Sequence, residues 1–181
     1  MRRVDVYGLL CVLLLVFTGP ASADSRQSLR PITASCVMDA ASRHGVPLAA
    51  LIAILAVEGG EVGMIRRNTN GSFDLGPGQI NTIWLSEIRA AGVDPLDVLY
   101  DGCVNIDFAA RILARQFDLA ADAIDAIGRY HSNTPSYKAT YQRKIMAALQ
   151  SDLSVERLID RANRPVPRQS AEQATVAMSG P

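Results

Sequence analysis

The sequence predicts a mostly α-helical protein with a single domain. Apolar residues recur at helical spacing through most of the chain, and no sustained alternation of apolar and polar residues marks a strand. Capping residues and glycines separate the helical stretches. The chain of 181 residues leaves about 158 after its first 23, which is enough to bury one core.

The first two predicted helices have clear start and stop signals. Thr33 or Ser35 can cap a helix that ends at Gly45, and Pro47 suits the first turn of the next helix. This second helix is apolar over a wide face and ends at Glu58, just before two glycines. We therefore expect a buried helix with a carboxylic acid at its end.

The middle of the chain alternates between loop and helix signals. Residues 60–78 are rich in Gly, Asn and Ser and predict a structured loop, which can include a short hairpin. Asn81 or Thr82 caps a helix that runs to about Ala91, and Pro95 opens a short turn.

Three further helical stretches are predicted before the chain loses its apolar content. Asp101 caps a helix over about 102–117, a second covers about 120–131, and a third covers 136–161 with a weak point near 151–153. Beyond it, Pro, Arg, Gln, Ser and Gly predominate, which predicts a disordered tail over 163–181.

The N-terminus has the pattern of a signal peptide over residues 1–23. Arg2 and Arg3 precede a compact apolar core over 8–17, and small residues at 21–23 suit a cleavage site. The core is about ten residues long, short of the ~20 that a spanning helix needs; an uncleaved anchor is the alternative. We expect an exported, periplasmic or secreted domain over 24–162 with no further membrane span.

Charge and cysteine content narrow the function classes. The charges of the 18 basic and 18 acidic residues cancel, which argues against a nucleic-acid partner.

Two cysteines, Cys36 and Cys103, remain without the signal peptide. An even number of cysteines in an exported chain predicts one disulfide, and two free thiols are the alternative. Neither cysteine has the neighbours of a zinc site, so no metal is expected.

Glu58 is the first candidate for chemistry. It follows a run of Ala, Leu, Ile and Val, so a helix places it beside the apolar face. Burial disfavours the carboxylate and raises its pKa, as a general acid at neutral pH requires. The alternative is an acidic helix-end residue that points to solvent.

The segment after Glu58 suits the binding of a sugar. Gly76 and Gly78 allow the backbone to approach a ligand closely, and Gln79 and Asn81 carry paired donors and acceptors that match hydroxyl and acetamido groups. Trp84 can stack on a sugar ring or belong to the core. A shielded acid beside a polar loop predicts the cleavage of glycan strands.

Several stretches of the chain also carry a family resemblance. They are Glu58, Asn-Gly-Ser-Phe-Asp-Leu-Gly at 70–76, Gln-Ile-Asn at 79–81, Asn105, Ala109-Ala110, residues 126–132 and Tyr141. Together they resemble the lysozyme-like lytic transglycosylases of the soluble type, especially the small exported enzymes that accompany secretion and conjugation machines. The resemblance covers about residues 36–149 and implies a lysozyme-like fold, mostly α with a minimal β or loop region.

The resemblance implies a mechanism with one catalytic glutamate and no cofactor. Glu58 would protonate the bond between N-acetylmuramic acid and N-acetylglucosamine in peptidoglycan, and would then deprotonate the muramoyl 6-hydroxyl to close a 1,6-anhydro ring. It implies substrate contacts by Ser72, Gln79, Asn105 and Tyr130, and the amide of Asn81 is a further candidate.

Two positions depart from the pattern of this family. Gly59 stands where a serine usually follows the catalytic glutamate, and Pro77-Gly78 stands where a bulky residue usually precedes the glutamine. The second departure removes a large side chain from the expected floor of the cleft.

Asp74 raises an alternative. Residues 68–84 also resemble the active-site segment of animal lysozymes, in which an aspartate at the position of Asp74 is the second carboxylate. Asp74 could then stabilise an oxocarbenium-like centre or act as a nucleophile. The other interpretation is an aspartate that bonds its own loop backbone.

The leading prediction is therefore a monomeric peptidoglycan lytic transglycosylase that works around a secretion or conjugation apparatus. A hydrolytic muramidase that uses Glu58 and Asp74 is the first alternative. A catalytically silent peptidoglycan-binding assembly factor is the second, although a binder has no reason to bury an acid beside a glycan.

Overall fold

Helices dominate the architecture, which a computed structural model describes for residues 28–151, 153–167 and 171–179. The helices are α1 (Ala34–Arg43), α2 (Leu48–Glu58), α3 (Leu85–Ala90), α4 (Pro95–Tyr100), α5 (Gly102–Leu119), α6 (Ala123–His131), α7 (Pro135–Leu149), α8 (Val155–Ala162) and α9 (Ala171–Met178). The strands are β1 (Ile65–Arg67), β2 (Phe73–Leu75) and β3 (Ile80–Asn81), and a 3₁₀ turn covers Thr82–Trp84. This confirms the mostly α prediction and is consistent with a lysozyme-like fold.

Helix α2 is the central element of the core. Its residues are apolar on every side, and Leu51, Ile54 and Leu55 are fully buried where α1, α5, α7 and α8 pack around it. Gly59 ends the helix in the left-handed conformation, at φ 65°, and its N–H donates to the carbonyl of Leu55. Glu58 therefore lies at the point where the apolar helix leaves the core.

The three strands form a small antiparallel sheet in the order β1-β2-β3. Arg66 is paired with Asp74, and Asp74 in turn with Asn81. Because directly paired residues project to the same face of a sheet, these three side chains form one polar row. The residues on either side, such as Ile65 and Leu75, belong to the opposite, apolar face.

The start of α5 is fixed by a cap and by a covalent bond. Asp101 accepts hydrogen bonds from the N–H groups of Cys103 and Val104. Cys103 forms a disulfide with Cys36 of α1, with their Cα atoms 5.6 Å apart. The disulfide prediction is thus confirmed over the alternative of two free thiols.

The structure differs from the predicted elements in three places. Pro95 opens the short helix α4, capped by Asp94, instead of a turn. Helix α6 begins at Ala123 and not near residue 120. Asp122 is its cap, and the Asp122 side chain accepts a hydrogen bond from the N–H of Asp125. The last stretch is two helices, and Ser154 caps the second of them close to the predicted weak point.

Part of the segment that was expected to be disordered is helical. Helix α9 packs against α4 and β1, and Arg89 donates to the carbonyl of Met178. Ala174 and Ala177 are buried against Leu75 and Leu99, in a small cluster on the apolar face of the sheet. Met178 packs against the same cluster, so a short segment of low apolar content contributes three residues to it.

The signal-peptide prediction over 1–23 lies outside the described residues. Within the described ranges, none of the helices combines the length and the apolar character needed to cross a membrane.

Candidate active site

Glu58 lies at the end of α2, where the apolar core meets a set of polar and charged residues. The charges of Arg66, Asp74 and Lys144 act on Glu58, and Tyr130 of α6 and Tyr141 of α7 are also close to it. We call the region between these residues the candidate cleft. The Glu58 side chain is partly buried, and its Oε1 accepts a 2.7 Å hydrogen bond from the hydroxyl of Tyr141. Among the described residues no hydrogen-bond donor contacts its other carboxyl oxygen, so that oxygen can carry a proton to a substrate.

The environment of Glu58 raises the pKa of its carboxyl group to near neutral pH. Burial raises its pKa from an ordinary value of 4.5 to about 7, and the negative charge of Asp74 acts in the same direction. The hydrogen bond from Tyr141 and the charges of Arg66 and Lys144 oppose this rise. A carboxyl group with this pKa is protonated and ionised in comparable amounts at neutral pH, as a group that both gives and takes a proton requires.

Tyr141 is a site residue to which the sequence analysis assigns no role. Its side chain is 3% exposed, and burial and the nearby Glu58 carboxylate raise its pKa above the ordinary value. The hydroxyl therefore remains a donor to Glu58. The ring also stacks on that of His131, with centroids 4.6 Å apart, which fixes its orientation. Glu58 and Tyr141 are far apart in sequence, so only the packing of α7 against α2 shows the pair.

Asp74 is held in the polar row by Asn81. The Nδ2 of Asn81 donates to Asp74 at 2.7 Å and to the hydroxyl of Ser72 at 2.9 Å, while its Oδ1 accepts the N–H of Ile83. The hydrogen-bonding groups of the Asn81 side chain are thus all used inside the protein. Asn81 positions Asp74, and Asp74 is close enough to Glu58 for its charge to raise the Glu58 pKa.

Ser72 belongs to the turn between β1 and β2. Its hydroxyl donates to Asn70 at 2.8 Å and accepts from Asn68 and Asn81. These bonds hold the turn and fix the amide of Asn81. Ser72 therefore supports the polar row through its hydrogen bond with Asn81.

Gln79 has unmet hydrogen-bonding capacity. Its backbone is in the left-handed region at φ 49°, which is uncommon for a residue with a side chain. Its Nε2 donates to the carbonyl of Gly76 at 2.7 Å, whereas its buried Oε1 has no partner in the described part of the chain. Among the predicted substrate-binding residues, Gln79 is the one with a buried acceptor left unpaired.

Asn105 is held by internal hydrogen bonds. It is fully buried, its Nδ2 donates to the carbonyls of Leu75 and Val98, and its Oδ1 accepts the N–H of Gly78 at 2.7 Å. These bonds tie α5 to β2 and to the loop that carries Gln79. The substrate contact expected of Asn105 stays a prediction.

Tyr130 supports the same loop from α6. Its hydroxyl donates to the carbonyl of Gly78 at 2.8 Å, and its ring is partly buried. Burial raises the pKa of Tyr130, with smaller contributions from the charges of Glu58 and Asp74. Tyr130 is thus close to both carboxylates, and its expected contact with a substrate stays a prediction.

The two departures from the family pattern have local explanations. Gly59 has a positive φ, where a serine would be strained. A Cβ on Gly78 would lie 2.9 Å from the Cβ of Ala109 and 3.1 Å from Oδ1 of Asn105. The loop therefore packs so closely on α5 that no side chain fits at position 78.

Trp84 is partly buried against the core, and the guanidinium of Arg115 lies 5.3 Å from its ring centroid. One candidate face for a sugar is thus already in contact with a cation.

Across the described ranges, no group of three or more His, Cys, Asp or Glu residues is arranged to hold a metal ion.

Comparison with known proteins shows distant relatives. No family model matches the chain. Invasion protein IagB of Salmonella typhimurium (strain SL1344) is 25% identical over 118 residues, which cover 65% of this chain and 74% of IagB. Protein IpgF of Shigella flexneri is 28% identical over 106 residues, which cover 58% of this chain and 70% of IpgF.

Proposed function

We propose that this protein is a peptidoglycan lytic transglycosylase in which Glu58 is both acid and base. The observation that carries the proposal is the environment of Glu58. It is a partly buried carboxyl group with a pKa of about 7, held at one oxygen by Tyr141, while the other oxygen accepts no hydrogen bond from the described residues. One group that can give and then take a proton is what the non-hydrolytic reaction needs.

In the proposed reaction, protonated Glu58 gives its proton to the oxygen of the bond between N-acetylmuramic acid and N-acetylglucosamine. The C–O bond breaks as the acetamido oxygen of the muramoyl residue attacks its own anomeric carbon. The Glu58 carboxylate then removes the proton of the muramoyl 6-hydroxyl. The freed oxygen attacks the anomeric carbon, displaces the acetamido oxygen and leaves a 1,6-anhydro ring, with Glu58 protonated again.

Asp74 has a supporting role in this proposal. Its charge helps to keep the Glu58 proton in place, and it would favour the positive charge that develops on the sugar. Asn81 holds it through a 2.7 Å hydrogen bond. Because Asp74 lies on the cleft face of the sheet, a hydrolytic muramidase with Asp74 as second carboxylate is the second candidate function.

The proposed setting is local remodelling of the cell wall around a secretion or conjugation apparatus. The relative IagB is named an invasion protein, and this name is compatible with such a setting. The disulfide between Cys36 and Cys103 supports an exported domain, since such bonds persist in oxidising compartments. We propose that the domain acts as a monomer after removal of the segment over 1–23.

Two matched variants test this assignment on purified peptidoglycan. We expect Glu58→Gln to lose about a thousandfold or more of the rate of strand release while it still sediments with insoluble peptidoglycan. We expect Asp74→Asn to retain measurable cleavage. Clearing by Glu58→Gln at the wild-type rate would exclude Glu58 as the acid, and binding without cleavage by the wild-type protein would favour the assembly factor.

A further inference from the structure

Arg66 is an exposed cation on the cleft face of the sheet. Its register partner is Asp74, so its side chain lies on the same side as the polar row. Within the described part of the chain it forms no ion pair, and its one polar side-chain contact is with the sulfur of Met64 at 3.8 Å. Arg66 is therefore available to an anionic group in the cleft.

Lys144, on α7, is a second exposed cation near Glu58. It follows Tyr141 by three residues on α7, and residues at this spacing lie on one face of a helix. Tyr141 contacts Glu58, so Lys144 lies one turn further along the same face. Among the ion pairs of the described residues, none includes Lys144.

The presence of both cations beside the acid calls for an explanation. Each of them lowers the pKa of Glu58 and so opposes the burial that keeps the acid protonated. The whole chain carries equal numbers of acidic and basic residues, so the two cations beside the acid are a local feature. Two cations near Glu58 that have no ion pair among the described residues are explained by an anionic group on the ligand.

We propose that Arg66 and Lys144 bind a carboxylate on the muramoyl substituent of the glycan strand and so determine preference for muramic acid over N-acetylglucosamine. This inference rests on the proposed function. The carboxylate has two possible sources: the free lactyl group of a strand without peptides, or a carboxylate of an attached stem peptide. Either source places negative charge on alternate sugars of the strand, which a neutral glycan of the same length lacks.

The test measures dissociation constants by calorimetry in a Glu58→Gln background, which prevents turnover. The ligands are peptide-free oligomers of alternating N-acetylglucosamine and N-acetylmuramic acid, the same oligomers with stem peptides, and chitin oligomers of equal length. The double variant Arg66→Gln/Lys144→Gln is compared with Arg67→Gln and Arg143→Gln. Arg67 adjoins Arg66 on the other face of β1, and Arg143 adjoins Lys144 on α7.

We expect the parent to bind muramic oligomers more tightly than chitin oligomers. The double variant should lose about two- to fivefold in affinity for muramic oligomers per cation removed and keep its affinity for chitin. The control variants should retain the preference, and added salt should weaken it. A loss with peptide-free oligomers identifies the lactyl carboxylate as the source, and a loss only with peptide-bearing oligomers identifies the peptide.

The proposal is overturned if the parent shows no preference for muramic oligomers, or if the double variant keeps it. Product analysis of the wild-type protein separates this failure from that of the proposed function. Anhydro products with an unchanged binding preference would contradict only the roles of Arg66 and Lys144. A protein that neither binds nor cleaves muramic strands would contradict both.

Discussion

The hydroxyl of Tyr141 donates a 2.7 Å hydrogen bond to Oε1 of Glu58 and joins residues that are 83 positions apart. The bond connects the end of the buried helix α2 to the middle of α7. It opposes the effect of burial on the Glu58 pKa, because it stabilises the ionised carboxylate. The pKa of Glu58 is therefore raised by burial and lowered by the hydrogen bond from Tyr141. Each of these two contributions can be changed separately.

Removal of this hydrogen bond should move the pH profile of cleavage. In Tyr141→Phe the carboxylate loses its donor, so the Glu58 pKa rises and the high-pH limb of the rate profile shifts upward by about one pH unit. We also expect kcat to fall by about tenfold, since one carboxyl oxygen is no longer held. Tyr137→Phe, at an exposed site on the same helix, is the control. An unchanged profile for Tyr141→Phe would show that the contact has no role in tuning the acid.

The raised pKa of Glu58 also predicts how stability depends on pH. The folded-state pKa of about 7 lies above the ordinary value of 4.5, so the free energy of unfolding falls as pH rises from about 4.5 to about 7, and the full loss is reached above pH 7. Glu58→Gln stays neutral, and by pH 8 it should exceed wild type by about 3 kcal/mol in the free energy of unfolding. Urea titrations at pH 4 and pH 8 measure this difference. If Glu58→Gln and wild type differ in the free energy of unfolding by the same amount at pH 4 and pH 8, the pKa of Glu58 is not raised.

We predict that Arg161 positions Glu58 by holding the last turn of α2. Its guanidinium donates to the carbonyls of Leu55 and Ala56, at 2.7 and 2.8 Å, in the last turn of α2. These carbonyls lie at the helix end, where a cation is favourable. Arg161→Met should lower stability by about 1–3 kcal/mol and reduce kcat with little change in KM.

The controls for Arg161 separate positioning from folding. Arg161→Lys should restore part of kcat, and Arg164→Met, at an exposed neighbouring site, should behave like wild type. Kinetics should be measured well below the midpoint of thermal unfolding. A normal kcat in a folded Arg161→Met protein would mean that the end of α2 is held without this residue.

Asn105 should behave as a structural residue. Asn105→Ala leaves the carbonyls of Leu75 and Val98 and the N–H of Gly78 without their partner, which should cost about 3 kcal/mol in the free energy of unfolding. In a Glu58→Gln background, the Kd for muramic oligomers should stay within a factor of about two. Asn133→Ala, at an exposed asparagine after α6, controls for the substitution itself. A large rise in Kd with little loss of stability would instead support the predicted substrate contact.

Local signals in the sequence are sufficient for much of the fold. Thr33, Asp101 and the glycine after Glu58 act as the caps and stops that their residue types suggest. The mostly α class and the disulfide were also predictable, because helical periodicity and an even cysteine count are local or compositional signals. Strand β3 was not predicted, since two residues carry no periodicity of their own.

The candidate site was predictable only in part. Residue type and the surrounding apolar run point to Glu58, but the contact with Tyr141 depends on how α7 packs against α2. Polar residue type suggests substrate binding for Asn105, whereas the structure buries it with three internal partners. A sequence does not show whether an amide meets a ligand or the protein's own backbone, because that depends on burial.

Glu58 is proposed to close an anhydro ring without water, and digestion of peptidoglycan in water enriched in oxygen-18 tests this step. The soluble products of the wild-type protein are analysed by mass spectrometry. We expect 1,6-anhydromuramoyl ends that contain no heavy oxygen, and no products from Glu58→Gln. Reducing muramoyl ends that carry oxygen-18 would contradict this mechanism and would favour the hydrolase with Asp74 as second carboxylate.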